Sequence, residues 1–189
     1  MMRIITGTAR GAHLVAPQGD TTRPTAERAK EAIFSALPIE LENARVLDLF
    51  AGSGQMGLEA VSRGAAFALF VDHSPAAAEA VRQNIKKVRF EEKCEFRFAD
   101  AAALLRTPPK TPFDLVFLDP PYDAGLLPSI LAALLFNGGL SDGAMIVCEC
   151  RAGDDPLFGD AALAARFLQV RTARYGAARV DFLKVRESV

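Results

Sequence analysis

Between Val46 and Gly57 the chain reads Val-Leu-Asp48-Leu-Phe-Ala51-Gly52-Ser-Gly54-Gln-Met-Gly57, and no other stretch constrains the fold as much. An apolar run that stops at a glycine turn and resumes with helical periodicity predicts a buried strand, Arg45–Leu49, and a helix, Gln55–Arg63. Glycines at 52, 54 and 57 permit positive φ and a close backbone approach to a ligand. The amides of the helix start have no intrahelical partner, so they are expected to face that ligand. The next apolar run, Phe67–Val71, is closed by Asp72, twenty residues after Gly52. That is the spacing of a ribose-binding carboxylate in a nucleotide-binding βαβ unit. Glycines kept only for packing a tight turn would not require the acid. The stretch is expected to hold an adenosine-containing cofactor.

Strand–helix alternation continues to the C-terminus. After Phe67–Val71 comes a helix with Ser74 as its cap, Pro75 at its first position, and Ala77, Val81, Ile85 and Val88 on its apolar face. Cys94–Ala99 reads as a third strand ending at Asp100, and Phe113–Leu118 as a fourth, apolar enough to be covered on both faces. A helix near Leu126–Phe136 ends at Gly138-Gly139, Ala144–Glu149 is a fifth strand, and Phe167–Thr172 and Arg179–Val185 form a closing hairpin. Ahead of this series, residues 2–16 read as a short hairpin and Pro17 to Pro24 as an exposed loop. Thr25 then caps a helix to about Leu37, with Ala29, Ile33, Phe34 and Leu37 on one face. The expected fold is α/β: a Rossmann-like, doubly wound, mostly parallel seven-stranded sheet with an antiparallel C-terminal edge. Residues 1–40 form an N-terminal extension and residues 41–189 the cofactor domain.

Composition excludes several classes. A net charge of −1 makes no global case for nucleic-acid binding. The distribution is uneven, because Arg3, Arg10, Arg23, Arg28 and Lys30 outnumber the acids of residues 1–31, for a local charge of +2. Cys94, Cys148 and Cys150 lack the spacing of a zinc site, and the histidines are His13 and His73 alone, so buried free thiols and no metal are expected. No signal-peptide pattern and no membrane-length apolar run occurs, which predicts a cytoplasmic protein without a membrane partner.

The fourth strand runs directly into Asp119-Pro120-Pro121-Tyr122. Consecutive prolines end the strand and turn the backbone rigidly at its carboxyl end, the edge where open α/β sheets bind ligands. A carboxylate, a peptide carbonyl and an aromatic face suit a flat heterocycle bearing an amino group. The ring stacks on Tyr122 while the NH₂ protons go to Asp119 and the Pro120 carbonyl. Accepting both protons draws the nitrogen lone pair out of conjugation and makes a poor nucleophile usable without metal or covalent intermediate.

With these motifs the chain resembles the class I S-adenosylmethionine-dependent methyltransferases, and within them the family that methylates guanine N2 in small-subunit ribosomal RNA. The resemblance includes Met2-Arg3-Ile4-Ile5-Thr6-Gly7, Arg10-Gly11, Thr22-Arg23-Pro24-Thr25 with Arg28 and Lys30-Glu31-Ala32-Ile33-Phe34. It continues through Asp48 to Gly54, Gly57-Leu58-Glu59-Ala60, Ser62-Arg63-Gly64-Ala65 and Asp119 to Tyr122. It implies S-adenosyl-L-methionine as cofactor, with Asp48, Ala51, Gly52 and Gly54 along its methionine part. Asp72 takes the ribose, His73 lies beside the adenine, and Asp100 and Ala101 meet the adenine edge. Asp119, Pro120 and Tyr122 are the implied catalytic residues; Arg3, Arg10, Arg23, Thr25 and Arg28 the implied substrate contacts. The implied partner is small-subunit ribosomal RNA within a partly or fully assembled subunit. Two positions depart from the family pattern: Ala12-His13 follows Arg10-Gly11 where a second basic residue is usual, and Asp72 replaces a frequent Glu.

Competing readings explain less. A nicotinamide-dependent dehydrogenase accounts for Gly52 to Gly57 but not for Asp119 to Tyr122. An adenine-N6 methyltransferase shares the tetrapeptide but normally carries an added target-recognition region. A protein-glutamine methyltransferase prefers Asn at position 119, and a carbon-5 pyrimidine methyltransferase needs a cysteine beside the loop. A non-catalytic RNA-binding module has no need to keep all four loop residues.

Overall fold

A computed structural model describes residues 2–18, 24–121, 125–157, 160–176 and 178–186, with backbone alone for 24–27. Its elements are α1 (Pro24–Ala36), β1 (Arg45–Leu49), α2 (Gln55–Ser62), β2 (Phe67–Asp72), α3 (Pro75–Val88), β3 (Cys94–Phe98) and α4 (Ala101–Leu104). Then follow β4 (Phe113–Leu118), α5 (Leu127–Phe136), β5 (Leu140–Arg151), α6 (Ala161–Ala164), β6 (Phe167–Tyr175) and β7 (Ala178–Val185). The strands form a seven-stranded sheet ordered β3-β2-β1-β4-β5-β7-β6, and the chain divides into two compact units, 1–100 and 101–189.

In the first unit β1, β2 and β3 pair in parallel, with Leu49 opposite Val71 and Asp72 opposite Phe98. The central strand β2 is buried from Ala68 to Val71 because α2 packs on β1 and β2, and α3 on β2 and β3. Helix α3 starts as its sequence demands: the Ser74 hydroxyl accepts from the Ala77 amide and Pro75 occupies the first turn. It stops at Arg89, which takes φ 60°, with Lys86 and Lys87 in the last turn complementing the helix dipole.

The N-terminal segment is a minimal hairpin. Arg3 and His13 form an antiparallel bridge, flanked by bonds from the Ile4 amide to the Ala12 carbonyl and from the Leu14 amide to the Met2 carbonyl. It lies against α2. The Ile5 and Thr6 amides donate to the Glu59 carboxylate at 2.8 and 3.0 Å, and the Ser62 hydroxyl donates to the Thr6 carbonyl at 2.6 Å.

The second unit begins with α4 and the parallel pair β4–β5, in which Leu118 lies opposite Cys148. Strand β7 runs antiparallel to β5 and β6 antiparallel to β7, with a register shift between Gln169 and Arg171. The thiols of Cys148 and Cys150 are buried and free; Cys94 is also free but only half-buried.

Several expected boundaries shift. Helix α1 begins at Pro24, so Thr25 is its second residue and not its cap; a proline at the first position already has the helical φ and no amide to lose. Leu37 lies just past the helix, since the residue before Pro38 is driven out of the α region. Strand β5 spans twelve residues where six were expected, because Leu140 pairs with Phe113 of β4 across a register shift and Cys150-Arg151 pair with β7. The short helices α4 and α6 escape periodicity, which needs more than one turn to register. Arg23 and Tyr122 lie outside the described residues, as does most of the expected loop before α1.

Candidate active site

In the first unit, the carboxyl ends of three parallel strands deliver the residues expected to hold a cofactor. Beyond β1, Phe50, Gly52 and Gly54 take φ values of 64°, 54° and 74°, reversing the chain between strand and helix within five residues. Phe50 is not a glycine, so its left-handed backbone stores some strain in this turn. A Cβ added at Gly52 meets no described atom within 4 Å, whereas one at Gly57 would lie 2.4 Å from the Phe70 ring. The two glycines therefore serve different ends. Gly52 borders open space, and Gly57, which is helical and lacks the anticipated positive φ, lets α2 settle onto Phe70 of β2.

The acids do more than await a ligand. Asp48 is 4% exposed and accepts from the Gly57 amide at 2.9 Å, placing a carboxylate at the positive end of α2. Asp72 is half-buried; one oxygen accepts from the Gly52 amide at 2.9 Å and the other from the Ser74 amide at 2.8 Å. One helix-start amide expected to face a ligand, that of Gly57, is thus bound by a side chain of this chain, as is the Gly52 amide in the turn before it. Each Asp72 oxygen keeps further acceptor capacity, which is what two ribose hydroxyl donors require. The exposed His73 follows Asp72, and the Ala99 amide bonds to the Asp72 carbonyl at 3.1 Å, bringing the start of the Asp100 turn to the same strand end. These residues fit an adenosine-bearing cofactor: a turn open above Gly52 and a carboxylate fixed beside it.

Asn84, Lys30, Glu59 and Arg63 support this region, though none of them was expected as a cofactor or catalytic residue. Asn84 of α3 is fully buried; its amide group donates at 2.9 Å to the carbonyls of Ser53, in the glycine turn, and Val15, in the N-terminal segment. Its carbonyl accepts from the Val15 amide at 2.7 Å. Lys30 and Glu59, 1% and 0% exposed, form an ion pair at 3.3 Å, and Lys30 also donates to the Arg3 carbonyl at 2.6 Å. Arg63 adds a 2.9 Å bond to Glu59 and rests over the Phe34 ring at 4.6 Å. The Gly-Leu-Glu-Ala and Ser-Arg-Gly-Ala stretches thus anchor the N-terminal segment on α2. Of the expected substrate contacts, Arg3, Arg10 and Arg28 are exposed, and Thr25 is known only as backbone in α1.

In the second unit Asp119 leaves the end of β4 exposed, Pro120 is buried and Pro121 exposed. Pro120 and Pro121 line a pocket together with Leu126, Leu127, Glu149 and Cys150, so the proline turn forms one wall of a recess at the carboxyl end of β4 and β5. Ala101 is buried at the start of α4. Burial pushes the Cys150 thiol up to about 11 and the Cys148 thiol well above its ordinary range. Of the two, Cys150 lines the recess, and burial favours its neutral, weakly nucleophilic thiol form. Among the described residues no group of three or more His, Cys, Asp or Glu side chains is placed to hold a metal ion.

Known proteins resemble this chain over most of its length. A family model described as "Conserved hypothetical protein 95" matches residues 2–184. The "Ribosomal RNA small subunit methyltransferase D" of Escherichia coli K12 is 37% identical over 149 residues, covering 78% of this chain and 74% of that protein. Its namesake in Haemophilus influenzae is 34% identical over 158 residues, covering 82% and 81%. The solved structure of "Putative methyltransferase yhhF" from Escherichia coli superposes with a TM-score of 0.86 at 30% identity, covering 99% of each chain. The fold alone is shared with "SMU.776, a putative methyltransferase complexed with SAH", at a TM-score of 0.72 and 12% identity, covering 87% of this chain and 50% of that one. The chain therefore belongs to the conserved hypothetical protein 95 family, an S-adenosylmethionine-dependent methyltransferase family that includes the small-subunit ribosomal RNA methyltransferase D proteins.

Proposed function

We propose that this protein transfers a methyl group from S-adenosylmethionine to the exocyclic N2 amine of a guanine in small-subunit ribosomal RNA. The observation that carries the reading is the Asp119-Pro120-Pro121 turn at the end of β4, in a chain whose glycine turn and Asp72 suit an adenosine-bearing cofactor. Gly52, Gly54 and Ala51 border the cofactor's methionine part, with Asp48 bracing the turn from beneath. Asp72 accepts from the ribose hydroxyls, and His73, Asp100 and Ala101 flank the adenine. When bound, the cofactor supplies a methyl group on a cationic sulfur.

The chain's own residues prepare the acceptor. The Asp119 carboxylate and the Pro120 carbonyl accept the two amine protons as hydrogen bonds, and Tyr122 stacks on the base. Both acceptors favour the more positive nitrogen of the transition state over the flat ground-state amine, so their contribution is catalytic. After transfer, the nitrogen sheds one proton to Asp119. A guanine amine inside a duplex lies in a groove, so the base enters unstacked, the form in which RNA bases are usually read. Residues 1–40 form the RNA-facing extension, with Arg3, Arg10, Arg23, Thr25 and Arg28 as contacts. The substrate is the subunit, partly or fully assembled, because a chain of net charge −1 gains little from naked phosphate alone.

The test is incubation of the full chain with labelled cofactor and small subunits lacking the modification, followed by nucleoside analysis. N2-methylguanosine is the expected product. N6-methyladenosine, or efficient labelling of duplex DNA, would instead assign the chain to the adenine-methylating branch, which shares the tetrapeptide.

A further inference from the structure

The largest local excess of positive charge in the sequence falls not in residues 1–31 but in residues 166–186, around the β6–β7 hairpin. Residues 166–186 contain Arg166, Arg171, Arg174, Arg179, Lys184 and Arg186 against the single acid Asp181, a count of +5 in a chain of net −1. Asp181 adds nothing to the surface. It is 0% exposed and paired with Arg179 at 2.7 Å, and the Thr172 hydroxyl and Gln169 amide also donate to it. Arg171, Arg174 and Arg186 are exposed, and β6 is the last strand of the sheet. Leu168 and Val170 on the same strand are 46% and 43% exposed.

Strand register relates this edge to the Asp119 turn within the second unit. Leu118 lies opposite Cys148, Cys148 opposite Asp181, and Asp181 opposite Thr172. The two antiparallel steps make β6 run in the same direction as β4. Pro120 is two residues past Leu118, and Arg174 two residues past Thr172, so both stand at the same end of the sheet. Three strand spacings separate them, about 14 Å.

We propose that the β6 edge is an RNA-docking strip. Arg174 and Arg171 take phosphates of nucleotides next to the target base, Lys184 extends the positive strip, and Leu168 and Val170 contact sugar and base faces. The proposal rests on the RNA-methylating reading above. Charged side chains also guard edge strands against pairing with other strands. That role is indifferent to the sign of the charge, whereas phosphate binding is not.

The discriminating variant is therefore Arg171→Glu with Arg174→Glu in the full chain, with Arg171→Gln/Arg174→Gln as a milder pair should the reversal fail to fold. Methylation of small subunits is measured against subunit concentration at several salt concentrations, with cofactor affinity by calorimetry and mass by light scattering. The reversal is expected to raise KM about tenfold or more and to lower the salt slope by about one to two, one contact per arginine. It should leave saturated kcat and cofactor affinity near wild type, and the Gln pair should shift KM the same way by less. Unchanged KM and salt slope with an active wild type would overturn the strip. So would a wild-type dimer that the reversal dissociates without moving KM, which would make a second copy the occupant of the edge. A wild-type chain that methylates no small-subunit RNA would refute the proposed function instead.

Discussion

Glu59 is the residue whose loss should most disturb the N-terminal segment. It is 0% exposed and accepts from two backbone amides, Ile5 at 2.8 Å and Thr6 at 3.0 Å, and from Arg63 at 2.9 Å. Lys30, 1% exposed, lies 3.3 Å away. Glu59→Ala removes the carboxylate from a buried pair, a change that costs about 3–5 kcal/mol because the remaining charge is stranded in a poor solvent. Two amides lose their acceptor as well, at about 1–3 kcal/mol each were they to stay buried. They need not stay buried, since the segment can peel from α2 and rehydrate, so the total should sit near the ion-pair figure and not at the sum. Urea unfolding followed by circular dichroism measures it, and hydrogen exchange locates it: amides 5, 6, 8 and 9 should lose protection while those of β1 and β2 keep theirs. Lys30→Met combined with Glu59→Leu should cost less than the two single changes added together, because the second change no longer leaves a charge behind. A Glu59→Ala loss below about 1 kcal/mol, or strict additivity in that cycle, would refute the account of this network.

Asp72→Ala should keep the fold and weaken cofactor binding by about 1–3 kcal/mol, the scale of polar groups deprived of a partner; calorimetry showing unchanged affinity, or preference for a nicotinamide dinucleotide, would contradict the assignment. Asp119→Ala should nearly abolish methyl transfer with little change in cofactor affinity, because its contribution falls in the transition state. Tyr122→Phe should be tolerated and Tyr122→Ala not, and equal damage by both in single-turnover assays would rule out simple stacking. Alkaline stability should follow the thiols: burial pushes Cys94 up to about 12 and Cys150 to about 11 from an ordinary value of 9.0. Above pH 9 the unfolded chain then binds fewer protons than the folded one, so this contribution is complete below pH 9 and is lost as pH rises toward 11–12. Urea midpoints from pH 7 to 11 should show a steeper alkaline decline for wild type than for a variant with all three cysteines replaced by Ala; identical profiles would exclude the thiols as the cause.

Elements with a strong local signature are legible in the sequence itself. β1 and β4 fall where their apolar runs begin and end, and Ser74-Pro75 starts α3, because a buried strand and a capped helix are specified by neighbours in the chain. The glycine turn and Asp72 were legible for the same reason: a strand end, a turn and a return strand fix the spacing between them. Tertiary structure decided what each residue touches. Gly57 has the spacing of a ligand-facing glycine, yet Phe70 of β2 determines that its missing Cβ makes room for a ring. Asp48 and Asp72 looked like ligand acids, and in the fold each accepts from backbone amides, Asp48 from Gly57 and Asp72 from Gly52 and Ser74. Lys30 and Glu59 are twenty-nine residues apart and Asn84 and Val15 sixty-nine, so no period of two or 3.6 residues joins them. Polar side chains in amphipathic helices read as solvent-facing, and their burial became visible only when the N-terminal segment closed over them. Sequence alone determines which segments bury themselves and where the backbone turns; which buried polar groups find each other depends on contacts between distant segments, and those exist only once the chain has folded.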